Sequence, residues 1–185
     1  MEANSRQAAV AAPTWPADLH RALKQVGIRQ ASYVPDAGHA QLIELLLADS
    51  EVKTTVLTTE EEGVAVGAGA WLGGERSVLL MQSSGVGNCI NMLSLIASCQ
   101  LPFLTIVTMR GEWGEFNPWQ IPMSRATAPA LELMQLQTLR VDRAADVHEA
   151  TIAAAEMAFN ADHAVAVLLS QRLVGRKQWG VADHE

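Results

Sequence analysis

The sequence predicts an α/β protein: a three-layer α/β/α sandwich with a six-stranded, mostly parallel sheet. Three observations predict it. Short β-branched or aliphatic runs alternate with helical patterns along the chain, the signature of strands joined by crossover helices. One run, Phe103 to Thr108, is almost wholly apolar, as a central parallel strand covered on both faces must be. Two other runs are followed directly by polar, glycine-containing clusters that open helices of small residues. Those clusters then lie at the carboxyl ends of strands, where open parallel sheets bind ligands.

The elements follow in order. Residues 17–27 read as a helix, with Leu19, Leu23 and Val26 on one face and Gly27 as the stop signal. Ala31 to Val34 is a short strand, ended by the turn Pro35-Asp36-Ala37-Gly38-His39. A helix over 39–48 leads to strand Lys53 to Leu57, and a helix over 61–73 to strand Ser77 to Met81. A helix over 86–99 precedes strand Phe103 to Thr108. The segment Met109 to Met123 breaks the rhythm and carries Trp113, Phe116 and Trp119. Helix 125–136, strand Thr138 to Val141, helix 144–160 and strand Ala164 to Leu169 complete the pattern. Residues 1–15 are Ala-rich and aperiodic and read as a disordered tail; 16–171 form one domain, and 172–185 read as a frayed polar tail.

Composition narrows the function classes. The 185 residues can bury a sizeable core as one domain, and no run approaches the roughly 18 apolar residues of a membrane span. A formal net charge of −7 argues against a nucleic-acid surface but permits a small anionic ligand held by a few local cations. Cys89 and Cys99 are ten residues apart on one expected helix, roughly 15 Å at the helical rise, too far to bridge. Two free, buried thiols suit a reducing, cytoplasmic setting. Cys/His sets with metal spacing, a Gly-x-Ser-x-Gly elbow, a phosphate loop and a dinucleotide fingerprint after the first strand are all absent from the sequence.

Four segments carry candidate chemistry. Thr58-Thr59-Glu60-Glu61-Glu62-Gly63 places acids at a helix start, where they complement the helix dipole or serve as catalytic carboxylates. The helix that follows, with Gly63, Ala65, Gly67, Ala68, Gly69 and Ala70, permits close backbone approach to a neighbour. Gln82-Ser83-Ser84-Gly85-Val86-Gly87-Asn88 is either an ordinary βα turn or a backbone surface for a flat or anionic ligand. Asn88 and Asn91 share a helical face, as polar partners for a neighbouring subunit would. Arg110 could hold a carboxylate, sulfonate or phosphonate, or pair with Glu112 or Glu115 in a loop long enough to be a lid or interface. Asp36 and His39, after the first strand, complete the set, His39 also reading as a surface residue at a helix start.

Together these residues resemble the pyrimidine-binding domain of thiamine-diphosphate enzymes, above all the sulfopyruvate decarboxylase alpha subunits and the equivalent half of phosphonopyruvate decarboxylases. The matching stretches are Val34-Pro35-Asp36, Thr58 to Gly69, Met81 to Asn91, and Arg110-Gly111-Glu112 through Asn117-Pro118. In that family the acid nine residues before the glycine matching Gly69 is the catalytic glutamate, which selects Glu60, with Glu61 the alternative register. The resemblance implies that Glu60 hydrogen-bonds the cofactor's pyrimidine N1′ and favours the tautomer that activates the thiazolium for attack on a 2-keto acid. It also implies that Ser83, Ser84, Gly85, Gly87 and Asn88 meet the cofactor, and that Asp36, His39 and Arg110 face the substrate.

The family holds the diphosphate and magnesium through Gly-Asp-Gly and a later Asn, and this sequence contains no Gly-Asp-Gly. The resemblance therefore implies half an enzyme, with the cofactor shared with a separate beta subunit that binds magnesium, in an α2β2 or larger assembly. Sulfopyruvate is the expected substrate, giving sulfoacetaldehyde and carbon dioxide, a step used both in coenzyme M synthesis and in the breakdown of sulfonated amino acids. Phosphonopyruvate or another 3-substituted pyruvate, and a non-catalytic α/β binding module, are the alternatives.

Overall fold

A computed structural model describes residues 14–176. Its strands are β1 (Ile28–Tyr33), β2 (Lys53–Val56), β3 (Arg76–Gln82), β4 (Phe103–Thr108), β5 (Gln137–Val141) and β6 (Ala164–Leu169). They form one sheet in the order β2-β1-β3-β4-β6-β5, parallel at every pairing. The helices are α1 (Trp15–Gln25), α2 (Ala40–Ala48), α3 (Glu60–Leu72), α4 (Ser83–Cys89), α5 (Leu93–Cys99), α6 (Gln120–Leu133), α7 (Val147–Ala161) and α8 (Gln171–Val174).

Side chains alternate across the sheet because successive Cβ atoms in a strand point to opposite faces. Val78, Leu80, Leu104 and Ile106 face one layer, where Leu19, Leu23, Leu42, Leu46 and Ala154 from α1, α2 and α7 cover them. Leu79, Met81, Phe103 and Val107 face the other, under Val64, Ala68, Val86, Leu93 and Leu131 from α3 to α6. The three-layer sandwich expected from the sequence is therefore the fold, with a wholly parallel sheet. The chain turns to opposite sides after β1 and β3, so the crevice between the tips of β1 and β3 is the switch point where such sheets bind ligands.

Several boundaries differ from the sequence reading. Trp15, read as tail, opens α1 and is buried, with Pro16 in the first turn where its missing N–H costs nothing. Residues 1–13 lie outside the described residues. At the other end α8 is helical, and Leu173 and Val174 pack against the core rather than fraying; 177–185 lie outside the described residues.

The helix expected over 86–99 is two. The first contains two glycines and two serines, poor helix formers, and gives way at 90–92 to tight turns in which Ser94 N donates to Asn91 O and Leu95 N to Met92 O. Cys89 and Cys99 therefore sit on different helices, and Cys99 is exposed, not buried. Asn88 lies in α4 and Asn91 in the turn that follows, so the two are not on one continuous helix. Helix α6 starts at Gln120, before the expected 125, because Pro122 falls in its first turn, where proline is tolerated.

Candidate functional site

Glu60 is the first residue of α3, directly after the extended Thr59. Its two acidic neighbours go elsewhere. Glu62 turns back to accept a hydrogen bond from the Thr58 N–H at 2.8 Å, satisfying a backbone donor at the helix entrance, and Glu61 is exposed. Glu60 reaches across to α4, where Asn88 Nδ2 donates to its Oε2 at 2.8 Å.

Gly85 makes that reach possible. A Cβ on Gly85 would stand 2.3 Å from Glu60 Oε1 and 2.5 Å from its carboxyl carbon, so only glycine leaves room for this side chain. On the other side of the same helix, a Cβ on Gly63 would stand 2.3 Å from Leu79 Cδ1, so α3 lies against the sheet at glycine distance. The close approach expected of the small-residue helix is thus made at Gly63, whereas a Cβ on Gly69 would meet open space.

A cavity of about 760 Å³ opens beside Glu60, lined by Ser84, Gly85, Gly87, Asn88, Pro118, Trp119, Pro122 and Met123. Glu60 is the one ionisable group on that wall. Ser83 is fully buried and lies off the wall: its Oγ accepts from Arg110 N at 3.1 Å and its carbonyl from Thr127 Oγ1 at 3.3 Å. Cys89, below the cavity, is an inert thiol, pushed up to about 12 by burial and by the nearby Glu60 and Glu61 charges.

Asp36 and His39 come together away from the Glu60 cavity: Asp36 lines a second cavity of about 470 Å³ with Tyr33, Pro35 and Val56, and His39 is buried beside it. Gln82 Nε2 donates to Asp36 Oδ1 at 2.8 Å and Thr108 Oγ1 to Asp36 Oδ2 at 2.7 Å, so one carboxylate ties the tips of β1, β3 and β4. Ser84 Oγ donates to Gln82 Oε1 at 2.9 Å and links this knot to the Glu60 cavity. Burial works against ionisation of Asp36. The His39 ring, the Thr108 hydroxyl and the Gly38 N–H outweigh it and hold the carboxyl well below the usual carboxylate range. His39 is not at the surface: it is 1 % exposed, with Nδ1 3.5 Å from Asp36 Oδ2 and no hydrogen bond to either ring nitrogen among the described residues.

Arg110 is engaged, not open. Its Nε and one terminal nitrogen donate to the two oxygens of Glu115 at 2.6 and 2.8 Å, and both side chains are buried. Arg110 holds the Glu115 carboxyl down to about 2, against the effect of burial. Of the two sequence readings of Arg110, the ion pair is the one present.

Sequence reasoning marked the aromatic loop but assigned no cavity wall to Pro118, Trp119 or Met123. It left Gln82 without a role and took Gln171 merely as the end of the domain. Their roles arise from contacts between distant segments, which one sequence does not display.

The all-parallel sheet, with a carboxylate cavity at its strand tips, has the fold of a thiamine-diphosphate-enzyme pyrimidine domain. It superposes on a 2-oxoglutarate:ferredoxin oxidoreductase from Magnetococcus marinus with a TM-score of 0.73 at 16 % identity, over 86 % of this chain and 29 % of that one; at that identity the likeness concerns the fold alone. No protein-family model matches the sequence. The chain is 35 % identical to the sulfopyruvate decarboxylase alpha subunit of Methanothermobacter thermautotrophicus, over 82 % of this chain and 92 % of that protein. It is 33 % identical to that of Methanococcus maripaludis over 82 % and 91 %. A phosphonopyruvate decarboxylase of Streptomyces viridochromogenes is 35 % identical over 72 % of this chain but only 34 % of its own length. This chain belongs to the sulfopyruvate decarboxylase alpha-subunit family.

Proposed function

We propose that the chain is the alpha subunit of a thiamine-diphosphate-dependent decarboxylase that converts sulfopyruvate to sulfoacetaldehyde and carbon dioxide, completed by a separate beta subunit. The observation that carries this reading is the Glu60 carboxylate, fixed by Asn88 over the Gly85 backbone and lining a cavity at the strand tips.

The residues fit an aminopyrimidine ring. One carboxylate oxygen is taken by Asn88 and the other is left for the ligand, while Pro118, Trp119 and Met123 offer flat or soft apolar surface. When bound, the cofactor supplies a nucleophilic carbon and a sink for the electron pair released with carbon dioxide. Glu60 would hold a proton at the pyrimidine N1′, and the Asn88 hydrogen bond would keep its carboxyl group in place for that contact. Pro118 and Trp119 offer apolar surface at the mouth of the cavity. The knot of Asp36, Gln82 and Thr108 stiffens the tips of β1, β3 and β4 beside it.

The diphosphate and magnesium are assigned to the beta subunit. Among the described residues no cluster of three or more His, Cys, Asp or Glu is arranged to hold a metal, and the cavity wall carries no cation. The substrate's sulfonate is likewise assigned to a cation of the partner, since Arg110 is closed on Glu115. Among the described residues no helix is long and apolar enough to cross a membrane, and two unpaired cysteines suit the cytoplasm. A phosphonate substrate is the second reading, favoured by the Streptomyces relative.

The test is to isolate the chain with its partner and assay aldehyde release from sulfopyruvate and phosphonopyruvate, with and without thiamine diphosphate and magnesium. Glu60→Gln is expected to lower turnover by about a hundredfold or more while assembly and circular dichroism stay unchanged. Near-normal turnover in that variant would sink the reading.

A further inference from the structure

Gln171 opens α8 at the end of β6, far in sequence from the cavity, yet its side chain is 1 % exposed. Burying an amide is costly unless its polar atoms are partnered, and both ends of this one are used. Its Oε1 accepts from the backbone N–H of Glu112 at 2.8 Å and of Trp113 at 2.9 Å. Its Nε2 donates to Glu115 Oε2 at 3.0 Å, and its own backbone N–H donates to Glu112 Oε2 at 3.2 Å.

The bonds continue toward the cavity. Glu115 Oε1 accepts from Asn117 N at 3.1 Å, and Asn117 Oδ1 accepts from Trp119 N at 3.1 Å. Pro118 and Trp119, which that last step orients, form part of the wall beside Glu60. The segment between β4 and α6 contains no helix or strand, so these side chains supply the partners that regular structure provides elsewhere.

We propose that Gln171 is a positioning residue: through Glu115 and Asn117 it sets the conformation of residues 110–119, and so the Pro118–Trp119 wall, while touching neither cofactor nor substrate. The role of that wall rests on the function proposed above; the clamp itself does not.

Hydrogen exchange on the full chain tests the clamp directly. In Gln171→Ala the amides of 111–119 are expected to exchange about tenfold faster or more, with the rest of the chain unchanged. In the complex with its partner, the half-saturating thiamine diphosphate concentration rises about tenfold and kcat falls less, because Glu60 and Asn88 are untouched. Unchanged exchange overturns the proposal, and so does faster exchange with unchanged half-saturation.

Should Gln171→Ala lose protection throughout the chain, Gln171→Glu decides. Its new carboxyl faces the Glu115 carboxylate where the amide donor stood, with the Glu112 and Trp113 N–H groups on its other oxygen, Arg110 on the far side of Glu115 and Arg140 on Glu112. Repulsion opens the clamp at neutral pH, and protonation restores the donor as pH falls. Protection of 111–119 that returns at lower pH supports the proposal; protection indifferent to pH overturns it. Absence of cofactor-dependent turnover in the wild-type complex overturns the functional reading instead, and exchange still decides the clamp.

Discussion

Arg110 and Glu115 show how one residue's chemistry is settled by what it touches. A guanidinium at a strand tip suits an anionic substrate, yet two short, parallel hydrogen bonds to a buried carboxylate occupy its Nε edge and pair its charge. Arg110→Met should therefore be a stability variant. Combined with Glu115→Gln, the double variant should recover about 1–3 kcal/mol of the loss, because the single variant leaves a buried carboxylate without its partner. The pH dependence has a definite sign. Glu115 is depressed to about 2 from its ordinary 4.5, so its contribution is complete above pH 4.5 and is lost as pH falls toward 2. The melting-temperature gap between wild type and Arg110→Met should stay constant above pH 4.5 and narrow below it. A gap of zero at neutral pH, with a large rise in KM for the keto acid, would return Arg110 to the substrate.

At the scale of elements, α3 carries the candidate site because it packs at glycine distance on one side and presents Glu60 to α4 on the other. Its glycines are not equivalent. Gly63→Ala pushes against Leu79 and Leu57 and should cost about 1–3 kcal/mol, with loss of activity as α3 and Glu60 shift. Gly69→Ala meets open space at an exposed helical position and should stabilise by about 0.5–1 kcal/mol. Thermal unfolding of the two variants checks this; equal effects would mean that α3 does not depend on close packing. Much of this element structure was legible in the sequence. The alternation of apolar runs and helical patterns yields all six strands to within a few residues, because burial enforces that periodicity. The break between α4 and α5 was hidden because both halves of 83–99 keep an apolar face. The split of the candidate residues between two cavities was hidden too. Glu60 and Asn88 meet on one, and Asp36 lines the other with His39 buried beside it, by side-chain bonds across the tips of strands.

On the function proposed above, the molecule as a whole presents one half of a binding site. The Glu60 cavity opens outward past Trp119, which is 80 % exposed, and its wall carries an acid and no basic side chain, on a chain of net charge −7. A diphosphate brought to this surface alone meets repulsion and no metal-holding cluster among the described residues. The pyrimidine end gains a carboxylate partner and apolar walls, but such contacts on an open surface seldom repay the lost freedom of the ligand. Calorimetry on the isolated chain should thus find no saturable binding of thiamine diphosphate tighter than about 1 mM, and no preference over thiamine itself. Adding the partner chain and magnesium should give saturable binding, together with a change in Trp119 fluorescence as that ring leaves water. Tight binding of thiamine diphosphate by the isolated chain would instead require cations and metal ligands that this surface lacks, and would end the assignment of the diphosphate to a second subunit.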